Sequence, residues 1–485
     1  MTTTDQPRQA GSQQDIFTQE RRDHWDRVAR MPASSRRLGA AYHRRLEEIY
    51  ANLIPAGKKI LELGCGNGDL LASLKPAKGV GLDLSGDMVS LARQRHPGLN
   101  FIHADACASL PDDQFDVIIL SDLINDVWDL QTLFDRIRHI SLPHTRIILN
   151  FYSHLWEKPC ALAQMLALSR PTLIQNWFDL EDVRNLLDLT GFEMISHREE
   201  ILLPLNIPLI APLANRILVK LWFFKFFALT NVVIARLRPV EAPAAGNSVV
   251  SVIVPVRNEA GNVADIFQRV PDMNGRVELI FVEGHSKDQS YEAIEKAIAA
   301  NPQRRARLMR QPGKGKGDAV RLGFAEASGD ILIILDADLT VRPEDLPRFI
   351  APLLSGKAEF VNGVRLVYPM EKNAMRFLNL VANKFFSLAF SWLLNQPIKD
   401  TLCGTKALTR ENYQQIARNR AYFGDFDPFG DFDLLFGAAK LNLKMVDLPV
   451  RYNERTYGTT NIQRWKHGWL LLRMVAFAAR KIKFI

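Results

Sequence analysis

Apolar and polar positions along this chain fall into two long blocks of the same kind. In the first, short apolar runs at 59–63, 80–84, 115–120 and 146–151 alternate with amphipathic stretches. Runs of that length between turn residues predict buried strands, and the stretches between them carry apolar residues at helical spacing. Two late strands are expected at 192–201 and 231–236. A second block begins after Ser248, with strands expected at 249–254, 277–282 and 330–335. Strand and helix in alternation predict parallel sheets flanked by helices, so the expected fold class is α/β throughout.

The segments between the blocks set the expected domain limits. Residues 1–20 are rich in Thr, Gln and Asp and read as a disordered lead-in. Residues 21–240 form the first domain, with an apolar insertion at 201–230. Residues 241–248 (EAPAAGNS) read as a linker. Residues 249–464 form the second domain, and 465–485 a basic amphipathic helix. The halves share no repeat and read as two different domains.

With 485 residues, 47% hydrophobic and 24% charged, the chain is neither disordered, collagenous nor a small disulfide scaffold. Lys plus Arg is 61 against 53 Asp plus Glu, and the net charge of +8 favours anionic partners. Cys65, Cys107, Cys160 and Cys403 form no CxxC pair, which predicts reduced thiols in a cytosolic setting. The polar start predicts no secretory signal. No uncharged apolar run reaches the roughly 18 residues of a membrane span. Three acid-free segments, 201–240, 374–396 and 455–485, mix Lys and Arg with bulky apolar residues. In the last, Lys466, Arg473 and Arg480 recur every seven residues, opposite Leu471, Val475 and Ile482. These segments read as membrane-surface elements. The expected location is therefore cytoplasmic, peripheral on the cytoplasmic face of a membrane. Nucleic acid is not an expected partner, because the basic stretches are strongly apolar.

The first block carries a glycine turn. In ILELGCGNGDLL, Gly64, Gly66 and Gly68 follow a strand and precede a helix, where backbone N–H groups can approach a ligand closely. Asp83, about 20 residues further on, closes the next strand, where a carboxylate can bind ribose hydroxyls. Asp105 ends a third element and can face an adenine.

ELGCGNG, GLDLS, HADA and FDVIILSD together resemble the class I S-adenosylmethionine-dependent methyltransferases, over roughly residues 42–239. The resemblance implies a Rossmann-like methyltransferase fold with S-adenosylmethionine as cofactor. Glu62 would support its amino-acid end, beside Gly64, Gly66, Gly68, Asp83 and Asp105. An NAD-binding domain is the competing reading, disfavoured by Glu62 and the HADA acid. The acceptor pocket is expected near Ser121, Asp122 and Asn125, with Asp122, His103 or His154 as base. Cys65 reads as a packed small residue.

The second block ends an apolar strand in ILIILDADLT. Asp336 and Asp338, one residue apart there, are costly unless a cation holds them. Oxygen ligands suit Mg2+ or Mn2+, which would neutralise a diphosphate. PGKGKGDAVRLG is a basic glycine turn entering a helix and can present N–H groups and Lys316 to phosphate.

With SVIVPVRNE and FVEGHSKDQS, these segments resemble family 2 inverting glycosyltransferases of the GT-A (nucleotide-diphospho-sugar transferase) fold, closest to the polyprenyl-phosphate enzymes, over 248 to about 464. The resemblance implies that Pro255, Arg257, Glu259 and Glu283 line the nucleobase site. Asp336 and Asp338 would bind metal, with Thr340 as a third contact. Lys316, Arg365, Lys406 and Arg455 would handle phosphate groups, and Asp400 opens the DTLCGTK motif. Asp431 and Asp433 would lie near the acceptor. Glu283 and Gly284 stand where the family has paired aspartates, and Thr460 and Asn461 where it often has Ser-Lys. The expected partners are a nucleotide sugar, a polyprenyl phosphate or other lipid-linked acceptor, and a membrane surface. The expected chain is a bifunctional enzyme. The alternative has a sugar or lipid hydroxyl as acceptor and a methyltransferase half that only binds cofactor.

Overall fold

The computed structural model describes residues 13–31, 39–165, 173–239, 248–273, 276–365, 377–422, 430–453, 455, 457 and 464–484. The chain divides into two compact units, Met1–Arg238 with Phe484–Ile485, and Pro239–Lys483. Apart from Ser248, the expected linker lies outside the described residues, as do Thr460 and Asn461.

The first unit is built on β1 (Lys59–Leu63), β2 (Lys78–Asp83), β3 (Asn100–His103), β4 (Val117–Ser121), β5 (Arg146–Tyr152), β6 (Phe192–Glu200) and β7 (Thr230–Leu237). They form one sheet in the order β3-β2-β1-β4-β5-β7-β6. β1 to β5 run parallel, and β7 is antiparallel to both neighbours. The period-two geometry of a strand sends alternate residues to opposite faces. Ile60, Val117 and Ile119 enter one buried cluster, and Leu61, Leu63, Ile118 and Leu120 the other. Apolar layers thus cover both faces, as the unbroken apolar runs require.

Residues 1–12 of the expected lead-in lie outside the described residues, and 13–20 belong to a helix. Gln13–Arg30 is helical. Its polar composition hides three tertiary anchors. Buried Arg21 pairs with Asp126 at 3.0 Å, and Trp25 Nε1 donates to Asp126 Oδ2 at 2.8 Å. Asp26 accepts from Ser85 Oγ.

The second unit contains β8 (Val250–Val256), β9 (Val277–Glu283), β10 (Arg305–Arg310), β11 (Ile331–Ile334), β12 (Phe360–Val364), β13 (Lys406–Thr409) and β14 (Met445–Pro449). The order is β10-β9-β8-β11-β13-β12-β14, with β13 antiparallel to both neighbours. Again the strands split between two cores: Ile253, Ile280, Leu332 and Ile334 on one face, Val252, Val254, Leu279 and Ile333 on the other.

The helices Phe377–Leu394 and Arg464–Ala478 each bury one side. Phe386, Phe390 and Leu393 meet Leu471, Met474, Phe432 and Phe436 in one cluster. Phe385, Leu388, Trp469 and Leu472 remain exposed on their other sides. The side chain of Lys466 is outside the described residues, and Arg473 and Arg480 are exposed. Among the described residues, no helix is long and apolar enough to cross a membrane.

Candidate active sites

In both sheets the strand order reverses beside the first strand of its unit, between β1 and β4 and between β8 and β11. Open α/β sheets bind ligands at that crevice, at the carboxyl ends of the strands. The glycine turn with Asp83 follows the first of these points, and Asp336 with Asp338 follows the second.

In the first unit, β1 runs into Gly64, Gly66 and Gly68, all with positive φ (69°, 52° and 78°). A side chain at Gly68 would strike Phe101, whereas one at Gly66 would meet nothing within 4 Å. Gly66 is therefore demanded by its backbone angle and faces open space. Its N–H donates to Asp83 Oδ2 at 2.8 Å, and Ser85 N–H donates to Asp83 Oδ1 at 2.9 Å. Burial pushes the Asp83 carboxyl up, against the pull of these two donors. Asp105 accepts from Cys107 N–H at 2.8 Å.

Glu62 is buried on β1, and its Oε2 has no hydrogen-bond partner among the described residues. Burial, then the nearby Asp83 and Asp69, holds its carboxyl well above the usual range, against a backbone hydrogen bond. A buried acid with one unpartnered oxygen beside a glycine turn fits a cationic ligand group such as the ammonium of S-adenosylmethionine. Cys65 is buried close to the Gly81 backbone, and burial pushes its thiol well up. It is a packing residue.

At the end of β4, Asp122 adopts positive φ (54°). Its Oδ1 accepts from Tyr42 OH at 2.7 Å and Asn150 Nδ2 at 2.5 Å. Tyr50 OH donates to Asn150 Oδ1 at 2.8 Å, and the Tyr42 and Tyr152 ring centres lie 5.9 Å apart. Burial raises the Asp122 carboxyl, opposed by His43 and these donors. Sequence reasoning found Asp122 but missed Tyr42, Tyr50 and Asn150, which look like ordinary core residues until tertiary folding brings them together. Asn125 is spent on the backbone of Asn176 and Tyr152. His103 contacts the Leu84 carbonyl at 3.0 Å, and exposed His154 pairs with Glu157 at 3.2 Å.

In the second unit, Lys316 of the glycine turn places Nζ 2.5 Å from Asp336 Oδ1. Burial opposes ionisation of Asp336, but Lys316, Lys406 and Arg365 outweigh it and hold the carboxyl below its ordinary value. Asp338 Oδ1 accepts from Thr340 Oγ1 at 2.8 Å, and Arg455 Nη2 donates to Asp338 Oδ2 at 2.6 Å. Arg455 Nη1 donates to Glu259 Oε1 at 2.8 Å. Glu259 is pushed up to about 7 by burial, against Arg455 and with the repulsion of Asp338.

Among the described residues, no group of three or more His, Cys, Asp or Glu side chains is placed to hold a metal. Two carboxylates of hard oxygen are present, and Mg2+ is commonly held by one or two carboxylates plus substrate phosphates. The donor set therefore fits Mg2+ or Mn2+ bound together with a diphosphate.

Other expected residues have different partners. Arg365 and Asp400 form a buried bidentate pair, Nε to Oδ2 at 2.7 Å and Nη2 to Oδ1 at 2.9 Å. Arg365 thus braces the DTLCGTK loop. Lys406 is wholly buried and donates to the Cys403 carbonyl. Glu283 accepts from Ser286 N–H at 2.5 Å and Arg310 Nε at 3.2 Å. Pro255 and Val256 close β8, and Arg257 follows. Asp433 is buried and accepts from Arg420 Nε at 2.8 Å, a partner invisible in the sequence. Asp431 opens the helix Asp431–Lys440, but its side chain is outside the described residues.

Comparison with known proteins agrees with this division. Residues 34–197 match a methyltransferase domain family, and residues 251–416 match glycosyl transferase family 2. The chain carries one domain of each, in the Rossmann-like methyltransferase fold and the GT-A fold. The glycosyltransferase AglJ of Haloferax volcanii is 29% identical over 224 residues, 46% of this chain and 69% of that protein. A dolichol-phosphate mannosyltransferase of Pyrococcus furiosus is 27% identical over 246 residues, 48% of this chain and 67% of the relative. An undecaprenyl-phosphate 4-deoxy-4-formamido-L-arabinose transferase of Pseudomonas savastanoi is 31% identical, over 21% of this chain and 32% of its own length.

Among solved structures, magnesium protoporphyrin IX methyltransferase of Synechocystis, with bound SAH, is 18% identical. It covers 46% of this chain and 97% of its own, with a TM-score of 0.32. Glucosyl-3-phosphoglycerate synthase of Mycobacterium tuberculosis, with Mn2+ and UDP, is 20% identical. It covers 50% and 86%, with a TM-score of 0.36.

Proposed function

We propose that this chain, which joins a methyltransferase domain to a family 2 glycosyltransferase domain, is a bifunctional enzyme of lipid-linked glycan synthesis. Its second unit transfers a sugar, with inversion, from a nucleotide sugar to a polyprenyl phosphate. Its first unit transfers a methyl group from S-adenosylmethionine. The reading is carried by the Asp336–Asp338 pair at the switch point between β8 and β11, with Lys316 and Arg455 already on it.

Asp336 and Asp338 would hold Mg2+ or Mn2+, whose charge neutralises the departing diphosphate. Lys316 and Arg455 add two cations at the same place. Each makes its carboxylate contact with an N–H group that can equally donate to a phosphate oxygen. A phosphate acceptor is already an anion and needs no base. Asp433 is already paired with Arg420, an arrangement that a phosphate acceptor leaves undisturbed. A hydroxyl acceptor would need a free base, and Asp431 is then the remaining candidate.

In the first unit, Glu62, the glycine turn, Asp83 and Asp105 would hold S-adenosylmethionine, which supplies an already activated methyl group. The chain's own contribution is positioning. The Asp122–Tyr42–Asn150 network orients the acceptor, and the raised Asp122 carboxyl accepts its proton. The names of the glycosyltransferase relatives support work at a membrane, and we place the enzyme peripherally on its cytoplasmic face.

The test is release of nucleoside diphosphate from nucleotide sugars with Mn2+, with and without added polyprenyl phosphate. Release that depends on the lipid supports the acceptor. Release that ignores it moves the acceptor to a hydroxyl.

A further inference from the structure

The insertion between β6 and β7 is built inside out for a water-facing segment. Its polar groups turn inward. Buried Asn215 accepts from the N–H groups of Leu202 and Leu203 at 2.9 and 2.8 Å and donates to the Leu203 carbonyl at 2.8 Å. Buried Lys220 pairs with buried Glu200 of β6, and Arg45 approaches the same carboxylate at 3.6 Å. Arg216 and Lys225 pair with Glu48 and Glu199 on the body of the unit.

Its large apolar side chains turn outward. Leu209 is 87% and Trp222 76% exposed, and Ile210, Leu213, Phe223 and Phe226 are also exposed. Trp222 and Phe223 pack edge to face with ring centres 6.1 Å apart, so the aromatics form one patch. A contiguous exposed apolar surface marks an interaction site. Residues 201–240 contain no Asp or Glu, so nothing in the segment repels an anionic headgroup. Lys220 is buried on Glu200, and Arg216 and Lys225 are paired with Glu48 and Glu199, so the exposed tryptophan and phenylalanine side chains are what suit the segment to a bilayer interface.

The patch is tied by hydrogen bonds to the Tyr42–Asp122 network. Trp156 Nε1 donates to the Phe227 carbonyl at 2.9 Å, and Ser153 N–H to the Leu229 carbonyl at 2.8 Å. The next residue, Thr230, donates to Tyr42 OH at 3.3 Å, and Tyr42 in turn to Asp122.

We propose that residues 205–227 are a bilayer-docking face of the methyltransferase unit, and that its methyl acceptor is a hydroxyl or amine carried on a membrane lipid. The second part rests on the methyltransferase reading above. The acceptor heteroatom bonds to the methyl carbon as the carbon–sulfur bond breaks. The bonding pair stays on sulfur, leaving a neutral thioether, and the acceptor proton leaves through Asp122.

The test uses the full chain. Hydrogen exchange is measured with and without vesicles of equal parts phosphatidylcholine and phosphatidylglycerol. Peptides within 205–227 are expected to become protected. The triple variant Leu209→Glu, Trp222→Glu, Phe226→Glu is expected to lose that protection while binding S-adenosylmethionine as before. With methyl-labelled cofactor and a total membrane lipid extract, label is expected in the organic phase, reduced about tenfold or more in the variant.

Exchange in this segment that ignores vesicles overturns the docking face. Protection that instead grows with protein concentration alone overturns it in favour of a second copy of the chain. Label recovered only in water-soluble products, or none in lipid, overturns the lipid acceptor. Loss of cofactor binding in the wild type would remove the methyltransferase reading, and the vesicle measurement would still decide the docking face.

Discussion

Lys316 Nζ lies 2.5 Å from Asp336 Oδ1, a contact that joins the glycine turn before one helix to the carboxylate at the end of β11. Burial alone would discourage the Asp336 charge, and Lys316 is the foremost group opposing it. A cation fixed at that point can exchange its carboxylate contact for an incoming diphosphate without reorganising. Lys316→Met is expected to lower kcat for nucleoside diphosphate release about 100-fold or more. Circular dichroism should show the fold unchanged.

Gly404 is the backbone that lets this pair form. A Cβ there would run into both Asp336 Oδ2 and Lys316 Nζ. Gly404→Ala should abolish glycosyl transfer while cofactor binding by the first unit is retained. Calorimetric titration with S-adenosylmethionine beside the activity assay reads both.

Glu62 provides a test with opposite signs for stability and binding. Its folded carboxyl titrates well above the ordinary value of 4.5. The folded state therefore prefers the proton, and a penalty sets in as pH rises above the unfolded value and grows until the folded value is passed. Glu62→Gln removes that penalty. At neutral pH the cofactor-free unit should be equally stable or stabilised by about 1–2 kcal/mol. S-adenosylmethionine affinity should fall at least about tenfold, since a charge-assisted bond is lost.

Asp400 has the reverse sign. Paired with Arg365, it titrates below its ordinary value of 3.8. Its contribution is present above that value and is lost as pH falls through the folded one. Asp400→Asn leaves Arg365 buried without its counter-charge and should cost about 3–5 kcal/mol at neutral pH. The difference from wild type should narrow below about pH 4. Hydrogen exchange of the β12 and β13 amides monitors the unit concerned.

Among the described residues, nine of the fourteen strands lie close to their expected places; seven of these pair in parallel and write themselves as continuous apolar stretches, whereas β6 and β7 pair antiparallel. The other five carry no such mark. β10 reads RARLMR, an edge strand whose alternate residues meet water. β13 is four residues inside a motif that reads as a loop. The glycines, Asp83, Asp336 and Asp338 were legible because strand-to-helix turns tie function to local sequence. Arg365, Arg455 and Asp433 were recognised as polar residues of interest, but their partners Asp400, Glu259 with Asp338, and Arg420 are set by tertiary approach. Tyr42 lies 80 residues from Asp122 in the chain, and no local pattern links them.

The central claim is that Asp336 and Asp338 form the metal and diphosphate site of a sugar transferase. Its most direct test is Mn2+-dependent nucleoside diphosphate release in the presence of polyprenyl phosphate, comparing wild type with Asp338→Ala. We expect wild-type turnover to saturate with Mn2+, and the variant to lose it by about 1000-fold with S-adenosylmethionine binding intact. Turnover in the variant at the wild-type rate, or wild-type turnover unchanged by a chelator, would contradict the account.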